Sequence, residues 1–550
     1  NTMRLKYESA NTEKYGQSFD LPYCLVQWQG TSSIGYSIKN YQATLRDTDM
    51  KEYLYTPYPN GIPESIFCFK ADYMESSHGR NAGIAKFLND CVFTIKNPAQ
   101  LKDSRVRNAI NGFPMLMYIN DELIGIYNFN TDRYSAKTYG YEDEEKTLVY
   151  EIAANSDSTA GAFFKYTGSG DPTAYYKADF MCLYPPTRAA GNDNFTEIKS
   201  LVEWVHDASD EEFKENFEKH FNKKYVLRYL IYVNLMGAVD SLGKNMKLAS
   251  WDGGNIWYIQ PYDCDTTIGL DNSGDLRFGS DIEIGEADTF NTTASKLWEK
   301  VMRVFEEDIK AEYAELRRTT LTLENMYKYI LDEQINKIPK YYYNRDMENK
   351  YLKYPTWIYA LHGDAGSFIE QWLKDRLLYV DTMYDYNAST ADFVTLRASK
   401  FGNVYVDIQT FCSMYFTIKW TNKAGDTQKL RVKKGETVRF KAYMSTATDQ
   451  EVIVYGGKYI KSLGDLSNMQ PATLSLGNAT RLTKLVCHSE KLYNTDISKC
   501  SNLTELDLSD CTQLGSGASA QPILNVSNCA NIQSVNCKNT QITEVQLNPK

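Results

Sequence analysis

The sequence predicts an α+β protein in which a large mixed domain precedes a small all-β sandwich and a repeat solenoid. Short apolar runs separated by turn residues dominate the first 150 residues, and helical periodicity follows over 194–232 and 295–385. From residue 391 the pattern alternates like strands, and from about residue 469 it repeats. We therefore expect three domains, 1–386, 387–468 and 469–550.

The composition is that of an ordinary globular protein, with 43% hydrophobic and 24% charged residues among 550. The net charge of -10 and the lack of a long basic run argue against nucleic-acid binding, which depends on clustered Lys and Arg. No run reaches 18 apolar residues, so we expect no membrane span.

A small polar loop near the start of the chain is a candidate phosphate-binding segment. Two predicted strands, 25–28 and 41–45, flank it, and Lys39 follows it. Backbone N–H groups and hydroxyls of such a loop can face the phosphates of a nucleotide, and the Lys supplies a point charge. The alternative is a surface hairpin loop with a solvated Lys. The candidate loop residues are Gly30, Thr31, Ser32 and Ser33.

Residues 66–90 predict a short strand, a loop and a helix with Asn81 as its cap. Lys70 and Asp72 lie at the end of the strand, where they either face a cleft or pair with each other on the surface. Residues 113–130 predict a hairpin. Helices over 295–305 and 321–338 are predicted to cover the core, and we assign them no chemistry.

The stretch 225–269 carries the strongest chemical signal. Asp240 and Asn245 precede a predicted strand over 246–249, and Asp263 and Asp265 follow a second strand over 256–259. A hairpin starts and finishes at one edge, so these side chains are expected to converge. Magnesium is held by one or two carboxylates plus substrate phosphates. Protein kinases use the same order, in which the first Asp receives the substrate hydroxyl and the Asn and later Asp hold metal. The alternative is that these are ordinary turn residues.

The C-terminal part predicts strands and repeats without catalytic residues. The segment 503–511 matches the leucine-rich-repeat consensus L-x-x-L-x-L-x-x-C, and related units lie at 482–487 and 532–537. The alternative is an irregular β-region. The 11 cysteines contain no CxxC pair, so neither a disulfide framework nor a zinc site is expected. The five cysteines after residue 480 fit a ladder of small buried hydrophobes.

The first 385 residues resemble the spore coat protein H (CotH) family of atypical kinases. Four segments match in family order: QGTSSIGYSIKNY, FPMLMYINDELIGIYNF, DSLGKN followed by PYDCDTTIG, and HGDAGSFIEQWLKDR. The resemblance implies a two-lobed kinase-like domain that binds ATP between a strand-rich and a helical lobe.

By motif position the resemblance implies a role for each matching residue. Asp240 would be the catalytic Asp, Asn245 and Asp263 would hold magnesium, and Asp265 matches the second acidic position. Lys39 would contact the phosphates. The sequence departs from the family at Tyr262, where a Trp is usual, and at the residues before Asp240, which are Gly237, Ala238 and Val239. The second departure concerns substrate handling more than metal binding.

Two functions are therefore expected to compete. The first is transfer of phosphate from ATP to a protein Ser or Thr. The second is a non-catalytic structural or adhesion component of a phage tail, virion or cell surface, whose C-terminal modules bind a protein partner. An extracellular, cell-surface or virion-associated location suits both. The chain starts at Asn1 and stops within a repeat-like unit, which suggests a longer parent protein.

Overall fold

The computed structural model divides the chain into two compact units, Asn1–Leu377 and Leu378–Lys550. No helix in the described part of the chain is both long enough and apolar enough to cross a bilayer. The described residues are 2–30, 32–153, 164, 179–271, 273–286, 295–351, 365–386, 392–420, 426–448, 450–516 and 522–548.

The first unit opens with an antiparallel sheet of six strands in the order β1-β2-β3-β4-β6-β5. Alternation along β4 sends Phe67 and Phe69 to one face, where each ring centroid lies 5.1 Å from that of Phe129. The predicted strands around the polar loop and the predicted hairpin are confirmed. The strands are β1 (Thr2–Tyr7), β2 (Phe19–Gln29), β3 (Asn40–Thr44), β4 (Ile66–Lys70), β5 (Gly112–Ile119) and β6 (Glu122–Thr131).

A second sheet of four strands, in the order β10-β9-β7-β8, carries the central hairpin. Strands β9 and β10 pair antiparallel, which confirms the predicted hairpin. Gly253 and Gly254 in its turn have φ angles of 79° and 89°, a left-handed conformation that glycine adopts without strain. The strands are β7 (Leu148–Ala153), β8 (Phe180–Tyr184), β9 (Lys244–Ser250) and β10 (Tyr258–Pro261).

Helices make up most of the remainder of this unit. They are α1 (Thr12–Tyr15), α2 (Arg80–Phe87), α3 (Pro98–Lys102), α4 (Thr196–Asp207), α5 (Asp210–Asn216), α6 (Lys223–Met236), α7 (Lys296–Val304), α8 (Glu306–Thr319), α9 (Leu323–Tyr327), α10 (Lys340–Tyr351) and α11 (Ala365–Met383). Helix α6 starts after Asn222, whose side chain accepts the Tyr225 N–H, and stops at Gly237 in the left-handed conformation.

Two of the helix predictions are corrected by the structure. The prediction that Asn81 caps a helix is wrong, because α2 begins at Arg80 and its N-cap is Gly79. The predicted helix over 321–338 is broken: α9 ends at Tyr327, and a π turn and a 3₁₀ turn follow. The predicted helix over 295–305 is confirmed as α7, with Ser295 as its cap.

The second unit consists mainly of strands, and its two larger sheets have the orders β14-β13-β16-β11-β18-β20 and β15-β12-β17-β19-β21-β23. Both sheets start with antiparallel pairs and continue with parallel pairs from β18 and β19 onward. The first strands are β11 (Phe393–Ala398), β12 (Gly402–Thr410), β13 (Met414–Trp420), β14 (Thr427–Val432), β15 (Thr437–Met444), β16 (Gln450–Tyr455) and β17 (Ile460–Leu463).

The C-terminal strands form a β-solenoid-like stretch that fits the predicted repeats. In three of the stacked pairs the partner residues lie 21 positions apart, as in Thr473 with Asn494 and Lys484 with Glu505, whereas Glu505 and its partner Ser534 lie 29 positions apart. The strands are β18 (Pro471–Ser475), β19 (Lys484–Val486), β20 (Asn494–Asp496), β21 (Glu505–Asp507), β22 (Ile523–Asn525), β23 (Ser534–Asn536) and β24 (Glu544–Gln546). Buried Leu and Cys side chains fill the interior, and the Cys members are Cys487, Cys500, Cys511 and Cys529.

One step of this stack is interrupted, and the sequence explains why. In the stacked strands, the residue before a strand donates its backbone N–H to a carbonyl oxygen at the start of the neighbouring strand. Tyr493 donates to Ala472 O (3.0 Å), and Thr504 donates to Thr483 O (2.8 Å). Before β22 this residue is Pro522, which has no N–H. Within the described residues, β22 pairs with β24 in a separate sheet and is not joined to β20.

Candidate functional site

The hairpin of β9 and β10 brings the predicted site residues to one end of the second sheet. Met246 pairs with Pro261, and the Tyr262 N–H donates to Asn245 O at 3.0 Å. The ladder thus extends to Asn245 on one strand and stops immediately before Asp263 on the other. Both residues have φ angles of 54°, in the left-handed region that non-glycine residues rarely occupy.

Asp240 lies buried beside the start of β9. Its Oδ2 accepts a hydrogen bond from Asn245 Nδ2 at 3.1 Å and lies 3.6 Å from Lys244 Nζ. Its Oδ1 is buried and has no hydrogen-bond partner. Burial raises the pKa of Asp240 to about 7; the negative charge of Asp263 acts in the same direction and Lys244 opposes it. Such a carboxylate is suited to accept a proton near neutral pH.

Asp263 forms an ion pair with Lys70, whose Nζ contacts its Oδ1. Lys70 ends β4 in the first sheet, so this pair joins the two sheets of the unit. Burial favours the neutral amine, but the negative charges of Asp263 and Asp265 outweigh it and raise the pKa of Lys70. Lys70 is therefore a fixed cation at the hairpin end. Of the two alternatives predicted for Lys70 and Asp72, the surface pair is wrong, because Lys70 is largely buried against Asp263 and Asp72 is buried against His78.

Asp265 completes a group of acidic side chains around the same amine. Burial raises the pKa of Asp265, the charge of Asp263 raises it further, and Lys70 opposes both. Its Oδ1 accepts a hydrogen bond from Thr266 Oγ1 at 3.2 Å. We call residues 263–268 the acidic loop. Asp240, Asp263 and Asp265 influence one another electrostatically, so the predicted acidic residues do lie near each other.

The described side-chain contacts of the polar loop and of Lys39 lie within their own hairpin, whereas the backbone O of Lys39 accepts a hydrogen bond from the hydroxyl of Tyr127 in β6 at 3.0 Å. Lys39 Nζ donates to Ile34 O at 2.6 Å and lies 5.1 Å from the centroid of the Trp28 ring. Gly30 has a φ of 115°, Ser32 and Ser33 begin the 3₁₀ turn Ser32–Gly35, and Thr31 lies outside the described residues. In the described part of the chain, the amine seen at the acidic loop is that of Lys70.

Sequence reasoning missed Lys247, a second amine near the hairpin. It is buried in β9, and its Nζ lies 4.0 Å from the ring centroid of Tyr139 and 4.9 Å from that of Tyr262. Burial lowers the pKa of Lys247 to about 8. The signal that could have revealed it is a Lys within the otherwise apolar run 246–249.

The oxygen donors at the hairpin end determine whether this site can hold a divalent cation. The described residues contain no ready cluster of three or more His, Cys, Asp or Glu side chains for a metal. Magnesium does not require one, because phosphates and water complete its shell. The side-chain oxygens of Asn245, Asp263 and Asp265 are hard donors of the kind it prefers. These residues therefore fit a magnesium ion that arrives together with a phosphorylated ligand.

Comparison with protein families gives one result for this chain. A family model described as CotH kinase protein matches residues 26–380, which include Lys70, the central hairpin and the acidic loop. No curated protein matches the chain. The family match suggests a nucleotide-dependent, kinase-like function for the first unit.

Proposed function

Because the chain belongs to the CotH kinase family, we propose that it is an atypical protein kinase that transfers phosphate from ATP to a protein Ser or Thr. The observation that best supports this proposal is the convergence of Asp240, Asn245 and Asp263 at the end of one hairpin. Together with Lys70, they supply the acid, amide and amine that phosphoryl transfer needs in one place.

The nucleotide is proposed to bind against Lys70 and the acidic loop. Asn245 and Asp263 would hold magnesium, with Asp265 as a further acidic ligand. The metal would neutralise charge on the phosphates of ATP. Lys70 would then exchange its contact with Asp263 for one with a phosphate oxygen. The polar loop is proposed to cover the phosphates with Gly30, Thr31, Ser32, Ser33 and Lys39.

Asp240 is proposed to act on the substrate hydroxyl. The hydroxyl oxygen forms a bond to the γ-phosphorus, its proton passes to Asp240, and ADP leaves with the electrons of the broken P–O bond. The unpartnered Oδ1 is the atom available to accept that proton. A pKa of about 7 keeps a substantial fraction of the carboxylate ionised at neutral pH.

Phosphate incorporation from γ-labelled ATP into the protein itself and into a Ser- and Thr-rich acceptor protein tests this proposal. We expect magnesium-dependent labelling by the wild type and a loss of about 100-fold or more in Asp240→Asn and Asp263→Ala. Asp252→Asn is a matched control, since Asp252 shapes the turn at the far end of the same hairpin. Equal background labelling by all four proteins would count against the proposal.

A second candidate is a non-catalytic structural or adhesion component of a virion or cell surface. It is favoured by the direct pairing of Lys70 with Asp263, which engages the amine and one carboxylate of the proposed site with each other. In that case the stacked strands, proposed to be leucine-rich repeats, would bind an assembly partner. Thermal unfolding with magnesium and ATP distinguishes the two, because a ligand that binds the folded state must raise the Tm. No shift at millimolar nucleotide would favour the second candidate.

A further inference from the structure

The acidic loop has a strained backbone. Asp263 at its start and Ile268 at its end have φ angles of 54° and 49°, which are unfavourable for residues with a Cβ. Such conformations persist only where the surroundings fix them. Part of this support comes from within the loop, where Thr267 Oγ1 donates to Cys264 O at 2.9 Å, and part from the end of α6, where Met236 O accepts the Ile268 N–H at 2.8 Å.

Two consecutive residues of α2 supply further support. Asn81 is fully buried, and its Oδ1 accepts the N–H of Cys264 at 3.1 Å. Cys264 is the residue between Asp263 and Asp265. This hydrogen bond therefore fixes the peptide group that links Asp263 to Cys264. The other amide atom of Asn81, Nδ2, is buried without a hydrogen-bond partner. Of the two polar atoms of the Asn81 side chain, Oδ1 is thus the one that makes a hydrogen bond, to the N–H of Cys264.

Arg80 holds the other end of the acidic loop. Its Nε donates to Thr267 O at 2.9 Å, and its Nη2 donates to Ile268 O at 3.1 Å. Its Nη1 is paired with Glu75 Oε1 at 2.7 Å, so the buried guanidinium is neutralised within its own segment. The planar guanidinium of Arg80 donates to two successive backbone carbonyls, and this fixes the direction of both carbonyls as well as their position.

Helix α2 is itself firmly seated, so it can act as a rigid support. A Cβ added to Gly79 would lie 2.6 Å from Ile335 Cγ1, and one added to Gly83 would lie 2.9 Å from Ile330 Cα. The helix therefore packs against this neighbouring segment without room for a methyl group. It also starts at Arg80, ten residues after Lys70, so one short stretch of sequence supplies both the amine and the residues that hold the acidic loop.

We infer that Asn81 and Arg80 are positioning residues, which hold the acidic loop so that the oxygens of Asp263 and Asp265 can bind a divalent cation. This inference rests on the proposed function, because it assumes that the loop binds metal. Partners that orient metal ligands typically change metal affinity by about 10–100-fold when they are removed. A residue that only filled space would lower stability without a selective effect on the metal.

Manganese binding to the full chain, measured by electron paramagnetic resonance with a non-hydrolysable ATP analogue, tests the inference. We expect Asn81→Ala to raise the apparent Kd for Mn²⁺ about 10–100-fold. Asn81→Asp keeps the acceptor oxygen for Cys264 and should bind Mn²⁺ within about fivefold of the wild type. Asn222→Ala is the control: Asn222 Oδ1 accepts the N–H of Tyr225, and the Asn222 N–H donates to Trp257 O at the end of β10 opposite the acidic loop, so its loss should leave the Kd unchanged.

The outcomes separate this inference from the proposed function. If the wild type binds Mn²⁺ with the nucleotide and Asn81→Ala binds it equally well, the inference is wrong and the proposed function stands. If the wild type shows no nucleotide-dependent Mn²⁺ binding, both are wrong. If Asn81→Ala does not fold, Arg80→Lys decides, because it keeps the charge beside Glu75 but loses the fork to the two carbonyls. An unchanged Mn²⁺ affinity in Arg80→Lys would then overturn the inference.

Discussion

Lys70 and Asp263 stand 193 positions apart in the sequence, yet their side chains form a largely buried ion pair between the two sheets of the first unit. The pair places a cation where the proposed phosphates would bind and an anion where the proposed metal would bind. Binding of either ligand would therefore compete with the Lys70–Asp263 ion pair. The contribution of this ion pair to the free energy of unfolding can be measured.

Replacement of Lys70 by Met should destabilise the metal-free protein by about 1–3 kcal/mol, because it leaves Asp263 without its charged partner. Magnesium should recover part of this loss if it binds Asp263. Thermal unfolding of both proteins in EDTA and in millimolar magnesium measures the effect.

Lys86→Met is the control for this substitution, because Lys86 forms a comparable, partly buried pair with Glu333 at 3.4 Å. Its loss of stability should be the same with and without magnesium. An equal magnesium response in both variants would contradict the prediction.

Asp240 should make the stability of the metal-free protein depend on pH. Its folded pKa of about 7 lies above the ordinary value of 3.8, so folding favours the protonated carboxyl. The stabilising contribution is complete below pH 3.8 and is lost as the pH rises through 7. Asp240→Asn imitates the protonated form and should exceed the wild type in stability at pH 8, by at most about 4 kcal/mol.

Urea unfolding of wild type and Asp240→Asn at pH 3 and pH 8 checks this dependence, and the two proteins should be nearly equal at the lower pH. A difference that is the same at both pH values would show that folding does not shift the pKa of Asp240.

Gly83 should not tolerate a side chain, because a Cβ there would lie 2.9 Å from both Ile330 Cα and Tyr329 O. Gly83→Ala should therefore cost about 1–3 kcal/mol, although Ala favours helix more than Gly does. In α11, no atom of the described residues lies within 4 Å of a Cβ added to Gly366, so Gly366→Ala should stabilise by about 0.4–1 kcal/mol. Chemical denaturation of both variants measures the contrast, and equal effects would show that α2 is not tightly seated.

Leu506 in β21 is fully buried in the core of the second unit. Its replacement by Ala removes methyl groups and leaves a cavity, so the unit should lose about 2–5 kcal/mol. Leu547→Ala is a suitable control in the same repeat region, since Leu547 is 57% exposed and should change stability by less than about 0.5 kcal/mol. Hydrogen exchange of the C-terminal strands would report both, and unchanged protection in Leu506→Ala would contradict the packing described.

The local part of the site could be predicted from the sequence. Two apolar runs joined by Asp252-Gly253-Gly254 define the hairpin, and a hairpin brings its two ends together regardless of what surrounds it. The convergence of Asn245 and Asp263 follows from this short-range geometry.

Contacts between distant segments could not be predicted in the same way. The pairing of Lys70 with Asp263 depends on how two sheets pack, and no local pattern encodes that arrangement. Asn81 shows the same limit, because its sequence context favours a cap whereas its side chain serves the acidic loop instead. Lys39 has the expected loop around it, but its phosphate contact stays a prediction.

The two larger sheets of the second unit continue from their antiparallel strands into the solenoid-like stretch, and this continuity has a mechanical consequence. Strands β20, β21, β23 and β24 are each held to their preceding paired strand by a ladder of three residues, so a force applied along these strands meets weak elements in series. Under tension these strands should detach one at a time, and each 21-residue segment between paired strands would release about 70 Å of extended chain. The antiparallel strands would resist longer, so this end of the molecule could lengthen under load while the first unit stays folded.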